Sequence, residues 1–350
     1  MPQASSGGGG AAAAAGPTLV PAGVATPVAV ARGGTGKALS KDVLAAAALT
    51  WELARAGDLR LYPMEWAVGV FRSATGTETV VMTGDGSGYV PVGVFLPRSA
   101  RLMVSDPVAG HAFRSLWFGW ADPGQILVEY SKLRVGEDWK LVAGATTGSA
   151  DAFRAAEVDH TVVDRREVGR PAGLPADWQP PVLDHQHQHR LELEYPDLFE
   201  RLDKLGRLDR RLQERVVFPL TRALVESLLG VDEIPAPLRA AWAAISTGRE
   251  MDASAWAAFE KASEELFLSV GAKRPGGLSD ALSAPKDVPS TIHQYYQGQW
   301  GVARVMEHLG GWAATPMPLA DMVYAATAAA RIDVRAALAE SLRTVEEECA

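Results

Sequence analysis

The sequence has 350 residues, a formal charge of −8 and a single cysteine, and 47% of its residues are hydrophobic. That length allows two domains of ordinary size, and the lone Cys349 excludes an internal disulfide, a cysteine-based zinc site and a CxxC redox pair. The acidic balance argues against nucleic acid as a partner. Membrane insertion is not expected either, because the most apolar stretch, Trp312–Ala330, contains Pro316, Pro318 and Asp321.

Residues 1–37 are a low-complexity Gly/Ala/Pro segment and read as a linker, without the basic start of a secretory signal. Ser40 then caps a helix over Lys41–Arg55, stopped by Gly57. Met64–Arg72 and Thr77–Thr83 read as a hairpin around Ala74-Thr-Gly76, and Gly84–Gly88 breaks the second strand. Tyr89–Leu96 and Arg101–Ser105 continue in extended form. Asp106-Pro107 starts a helix over Val108–Phe118. Gln125–Leu133 reads as a strand, with Trp139–Ala143 as its pairing partner.

This order predicts an α+β fold: a mixed or antiparallel sheet with flanking helices over residues 38–165. Residues 166–195 form a Pro-rich polar connector, and residues 196–350 are helical throughout. The charge divides in the same way. Residues 1–170 hold 16 Lys/Arg and 16 Asp/Glu, so the remainder holds 18 and 26 and carries the entire −8 (18 − 26).

Within the helical part, Leu198, Leu202, Leu205, Leu208, Leu212 and Val216 form a narrow apolar stripe on one charged helix that Pro219 ends or kinks. Further helices follow: Pro237–Ile245, a helix capped by Asp252, Thr291–Leu309 capped by Ser290, Pro318–Ala330 and Asp333–Glu348. The loop 272–289 reads as mobile.

Motifs with catalytic meaning fail on spacing. Gly33-Gly-Thr-Gly36-Lys37 has Ala31 and Ala38 where a phosphate loop needs Gly and Ser/Thr. Gly84-Asp-Gly86-Ser-Gly88 has Tyr89 at the third glycine of a dinucleotide fingerprint, and no helix follows. His111-Ala-Phe113 lacks the glutamate of a zinc deaminase.

The most pointed constellation is His185, His187 and His189, which an extended chain would place on one face within reach of one zinc ion. Against it stands a solvated connector, in which exposed histidines need no ligand. Tyr295, Tyr296 and Trp300 cluster on one helix, where aromatic residues serve either the core or an interface.

Three segments carry a family resemblance: Trp66-Ala-Val-Gly-Val-Phe71, Gly88-Tyr-Val-Pro-Val-Gly-Val-Phe-Leu-Pro-Arg98 and Trp117-Phe-Gly-Trp-Ala-Asp-Pro123. They resemble the C-terminal region of mycobacterial type VII (ESX) secretion-associated proteins of the EspK family, where an α/β domain follows a linker and precedes a helical domain. The resemblance implies a noncatalytic cytoplasmic chaperone without a cofactor. Its implied partner is a secreted, EspB-like ESX substrate, kept unassembled before export. No tyrosine here has an acidic residue four positions later, as exported ESX substrates do. On this reading Leu198, Leu202, Leu205, Tyr295, Tyr296 and Trp300 are candidates for the partner-binding face. The alternatives are a metal-dependent hydrolase built on His185, His187 and His189, and a structural adaptor.

Overall fold

In the computed structural model, residues 38–60, 64–85, 88–231, 233–277 and 284–349 are described. The linker of residues 1–37 lies outside them, as do the tip of the Gly84–Gly88 bend and residues 278–283 of the loop expected to be mobile.

Helix α1, Lys41–Leu59, begins where Ser40 Oγ accepts the Val43 amide at 3.3 Å. Its alanine-rich face, with Val43 and Trp51, is buried against the sheet. Strands β1 (Trp66–Ser73) and β2 (Gly76–Thr83) form the expected hairpin, in register from Trp66↔Thr83 to Ser73↔Gly76. Residues Trp66–Phe71 of β1 are all buried, as a strand covered on both faces requires. Two short strands follow, β3 (Leu96–Pro97) and β4 (Ala100–Leu102), with β4 parallel to β2.

Asp106-Pro107 does not open a helix directly. Asp106 is buried and accepts from the Val108 amide, and helix α2 covers only His111–Trp117.

The segment read as a strand over Gln125–Leu133 is a helix, α3, Pro123–Arg134. Local chemistry overrides the β-branched composition here. Asp122 accepts the Gly124 and Gln125 amides at 2.9 and 3.1 Å, and Pro123 occupies the first turn, where its missing N–H costs nothing. Ile126, Leu127 and Tyr130 then fall on one buried face over β1 and β5.

Strand β5, Lys140–Thr146, pairs antiparallel with β1 instead of with the segment 125–133. Helix α4 (Asp151–Ala155) leads to β6 (Asp159–Val162), parallel to β5. The five-stranded mixed sheet therefore runs β4-β2-β1-β5-β6.

The connector is not free of structure. Strand β7, His187–Gln188, pairs antiparallel with β3. Leu191 then enters an apolar core that is continuous from the sheet into the helices.

The single stripe-bearing helix is two helices, α5 (Pro196–Leu205) and α6 (Arg210–Glu226). The break falls at Gly206, and Asp209 caps α6 by accepting the Leu212 amide at 3.1 Å. Pro219 lies inside α6 without ending it. Helices α7 (Ala236–Ser246), α8 (Ala253–Ala272), α9 (Ser290–Gly310), α10 (Leu319–Ala328) and α11 (Val334–Cys349) complete the helical part. The fold is α+β with a helical C-terminal part, as the element order predicted.

Candidate functional site

The deepest polar cluster sits where the connector, the loop after β2 and helices α9 and α10 meet. Arg190, buried to 1% exposure, places Nη2 2.7 Å from Glu307 Oε1 and Nε 2.8 Å from Asp321 Oδ1. Its Nη1 donates to the Val90 carbonyl at 3.0 Å, and its guanidinium lies 4.6 Å from the Tyr324 ring centroid. The Tyr89 hydroxyl donates to Glu307 Oε2 at 2.8 Å, and Arg304 Nη1 reaches the same oxygen at 2.7 Å.

Two guanidiniums thus face two carboxylates, which is how charge survives burial. Burial alone would raise the Asp321 carboxyl, but Arg190 and His189 hold it well below the usual carboxylate range. Beside this cluster, the buried His308 donates from Nδ1 to the Met322 carbonyl at 2.8 Å, and its Nε2 lies 2.8 Å from Thr221 Oγ1. Burial pushes its pKa down to about 4. These groups hold one another, and their arrangement clamps sheet to helices.

A second polar cluster lies within the sheet half. The Tyr130 hydroxyl donates to Asp106 Oδ2 at 2.6 Å, and Arg134 Nη1 lies 3.1 Å from the same oxygen and from Glu78 Oε2. Burial opposes ionisation of Asp106, but the Tyr130 and Val108 hydrogen bonds and the Arg101 and Arg134 charges win and lower its pKa. This too is a closed ion-pair network.

Of three clefts, the first shares residues with the Arg190 cluster. It measures 420 Å³ and is lined by His111, Arg114, Ser115, Glu194 and Arg331, with Tyr89 and Tyr324 behind them. Ser115 Oγ lies 3.4 and 3.5 Å from the two ring nitrogens of His111. Near-equal distances put the hydroxyl between the nitrogens instead of on one lone pair, so this is not the geometry of a base activating a nucleophile.

A larger groove of 850 Å³ runs between the end of α1 and helix α8, lined by Leu59, Arg60, Val92, Glu260, Glu264, Phe267 and Leu268. An inner pocket of 180 Å³ adjoins it through Phe267 and Leu268 and ends on Asp85, Tyr296 and Trp300.

The residues singled out from sequence are placed as follows. His185 is exposed, and His187 Nδ1 lies 2.9 Å from Asp184 Oδ1. His189 turns inward: its Nε2 lies 3.1 Å from Asp321 Oδ1, its Nδ1 accepts the Leu191 amide, and its ring stacks on Phe199 at 5.1 Å. The three imidazoles are not gathered, because His185 lies in a bend that precedes the two residues of β7, while His187 and His189 turn to different carboxylates, Asp184 and Asp321. Among the described residues no group of three or more His, Cys, Asp or Glu is placed to hold a metal ion.

Leu198, Leu202 and Leu205 are buried in the protein's own core, so their stripe offers no free docking face. Tyr296 and Trp300 are buried as well. Tyr295 alone of the six reaches the surface, at 40% exposure, where its hydroxyl donates to Glu233 at 3.0 Å.

Sequence reasoning missed Arg190, which sits in a polar connector where nothing marks an arginine as buried. In α8 the spacing suits Trp256, Phe259, Leu266 and Phe267 as inward and Glu264-Glu265 as a solvated face, but of these only Phe259 is buried, and Glu260, Glu264, Phe267 and Leu268 share one face.

No curated protein matches the chain. A family model, the EspK C-terminal domain, matches residues 56–305, from the end of α1 through the sheet, the connector and α8 into α9. That span contains the groove, its inner pocket and, of the Arg190 cluster, Tyr89, Arg190 and Arg304, with Glu307 and the α10 residues just beyond it, and it covers well over half of the sequence. The chain therefore belongs to the EspK C-terminal domain family, whose namesake is an ESX secretion-associated protein.

Proposed function

We propose that this protein is a noncatalytic, cytoplasmic binding protein that holds a secreted ESX substrate, EspB-like in kind, unassembled before export. The observation that carries the reading is the family match over residues 56–305. Two features support it. The buried charges are engaged in clamping the fold together, and the α1–α8 groove exposes apolar side chains at the surface. The acidic second half of the sequence, residues 171–350 with a net charge of −8, favours encounter with a partner surface that carries basic residues.

The test is an assembly assay with a purified ESX substrate that self-associates. Equimolar addition of this chain is expected to keep the substrate in its low-mass form and to co-elute with it. Unchanged assembly, with no shared elution peak, would refute the reading.

A further inference from the structure

Helix α8 is unusual among the helices of this fold. Of its 20 residues only Phe259 and Val270 are buried, although its sequence is rich in Ala, Leu and Phe. Glu260, Glu264, Phe267 and Leu268 recur at helical spacing and face the end of α1 across the 850 Å³ groove. Leu268 is 54% exposed, and Leu59 on the opposite wall is 50% exposed. The groove therefore has apolar walls open to solvent.

Its rims carry opposite charge. Glu260 and Glu264 stand on the α8 side and form no ion pair with a described residue; on the opposite wall Asp58 and Arg165 pair with each other at 3.3 Å, which leaves Arg60, unpaired among the described residues, to set its sign. The inner pocket supplies a separate sign. The Tyr296 side chain is 1% exposed and borders this pocket, and its hydroxyl has no hydrogen-bond partner among the described residues. A buried hydroxyl left unpaired is costly, and because this one is closed to solvent, the pocket lining must shift before an incoming group can pair with it.

We infer that the α1–α8 groove is a docking site for one amphipathic helix of a partner protein. The apolar stripe of that helix lies on Leu59, Phe267 and Leu268. Its edge facing Glu260 and Glu264 is basic, and its edge facing Arg60 is acidic. One apolar side chain enters the inner pocket along Phe267, Leu268 and Val270, short of Asp85 and Arg274, and as the pocket opens the Tyr296 hydroxyl donates to a carbonyl beside it. Helix-in-groove binding needs this combination of an apolar trough, an anchor pocket and rim charges that fix orientation. The inference rests on the binding-protein reading and names its surface.

Two probes test it on the full chain by fluorescence anisotropy: a purified ESX substrate, and a synthetic 20-residue helix with a leucine stripe, lysines on one edge and glutamates on the other. Leu268→Asp is expected to weaken both by about ten-fold or more, as loss of an interface anchor does. Glu260→Lys/Glu264→Lys is expected to weaken both several-fold and to favour a peptide with its charged edges exchanged. Both changes fall on exposed side chains, and unaltered circular dichroism and melting confirm folding.

Tyr296→Phe reads the inner pocket: melting stays level or rises while substrate affinity falls. Unchanged affinity in that variant overturns the pocket's part in docking. Substrate bound equally well by the Leu268 and glutamate variants overturns the groove and leaves the binding function standing. If the substrate does not bind while the peptide binds and responds to the variants, the functional reading fails and the groove is upheld. If neither probe binds, the groove is overturned.

Leu268→p-benzoylphenylalanine identifies the occupant by photocrosslinking and mass spectrometry. Adducts to a substrate helix support the inference. Adducts to residues 1–37 of the same chain, or to a second copy, overturn it.

Discussion

Arg190 and Glu307 meet at 2.7 Å with 1% and 12% of their side chains exposed, one from the connector and the other from the last turn of α9. Their contact ties a segment that reads as a polar linker to the centre of the helical part. Removing one partner of a buried pair leaves the other charge uncompensated. Arg190→Ala is therefore expected to cost about 3–5 kcal/mol in urea unfolding. Arg190→Lys should recover only part of this, because a point charge cannot serve Glu307, Asp321 and the Val90 carbonyl together.

Acid should destabilise the protein in two stages. The folded-state pKa of His308, about 4, lies below that of an unfolded histidine, so the unfolded chain takes up the proton first. The stability from keeping this ring neutral is present above pH ~6.5 and is lost progressively as pH falls towards about 4, on the order of 3 kcal/mol in total. Asp321, with its depressed pKa, contributes stability above the ordinary carboxylate range that is lost as pH falls further, through its folded-state value. Unfolding free energies measured from pH 8 to 3 should show the first fall and the onset of the second, and His308→Asn should flatten the first.

The three connector histidines should respond unequally to alanine. His185 is exposed, and its replacement is expected to change stability by less than about 0.5 kcal/mol. His189 is buried against Phe199 and Asp321, and its loss should cost roughly 1–3 kcal/mol. Equal effects, or a melting temperature that rises with added zinc and falls with a chelator, would favour a shared metal instead.

Gly119→Ala should be strongly destabilising. The residue sits at φ +79°, and an added Cβ would lie 2.6 Å from Tyr296 Cε1 and 2.7 Å from Pro275 Cδ. Strain in the backbone and overlap at the contact between the halves combine here, so a loss of about 2 kcal/mol or more is expected in thermal melts. Gly136→Ala, where a Cβ meets nothing within 4 Å, serves as the neutral control.

Tyr130→Phe removes the hydroxyl that donates to Asp106 and accepts from Arg134 at 2.7 Å. The carboxylate keeps Arg101 and Arg134, so the expected cost is modest, about 1–2 kcal/mol, with the larger share appearing as a raised Asp106 pKa. Carboxyl chemical shifts followed by NMR titration check the direction.

Local signals in the sequence were read where they acted alone. Ser40, the Ala74-Thr-Gly76 turn and Asp252 each set an element boundary through nearest neighbours, and the structure keeps all three. The reading failed where two local signals competed. Ile126, Leu127, Val128 and Tyr130 suit a strand, yet Asp122-Pro123 is a helix cap, and the cap prevailed because it satisfies amides that a strand here would have had to pair elsewhere. The leucine stripe from Leu198 to Val216 was legible as apolar, but its partner was not. Its three-to-four spacing is the same whether it faces the protein's own core or another molecule, and only packing showed that it faces the core.

Composition, periodicity and linear motifs are properties of the chain, so the α+β order, the concentration of the −8 charge in residues 171–350 and the family resemblance were legible from the residues alone. Tertiary structure alone decided that Arg190 is a buried clamp, that His185, His187 and His189 do not share a site and that α8 keeps an open face. Each of those depends on which distant segment supplies the opposing surface. Glu307, Asp321 and the end of α1 lie far from their counterparts along the chain, so no local spacing encodes the meeting.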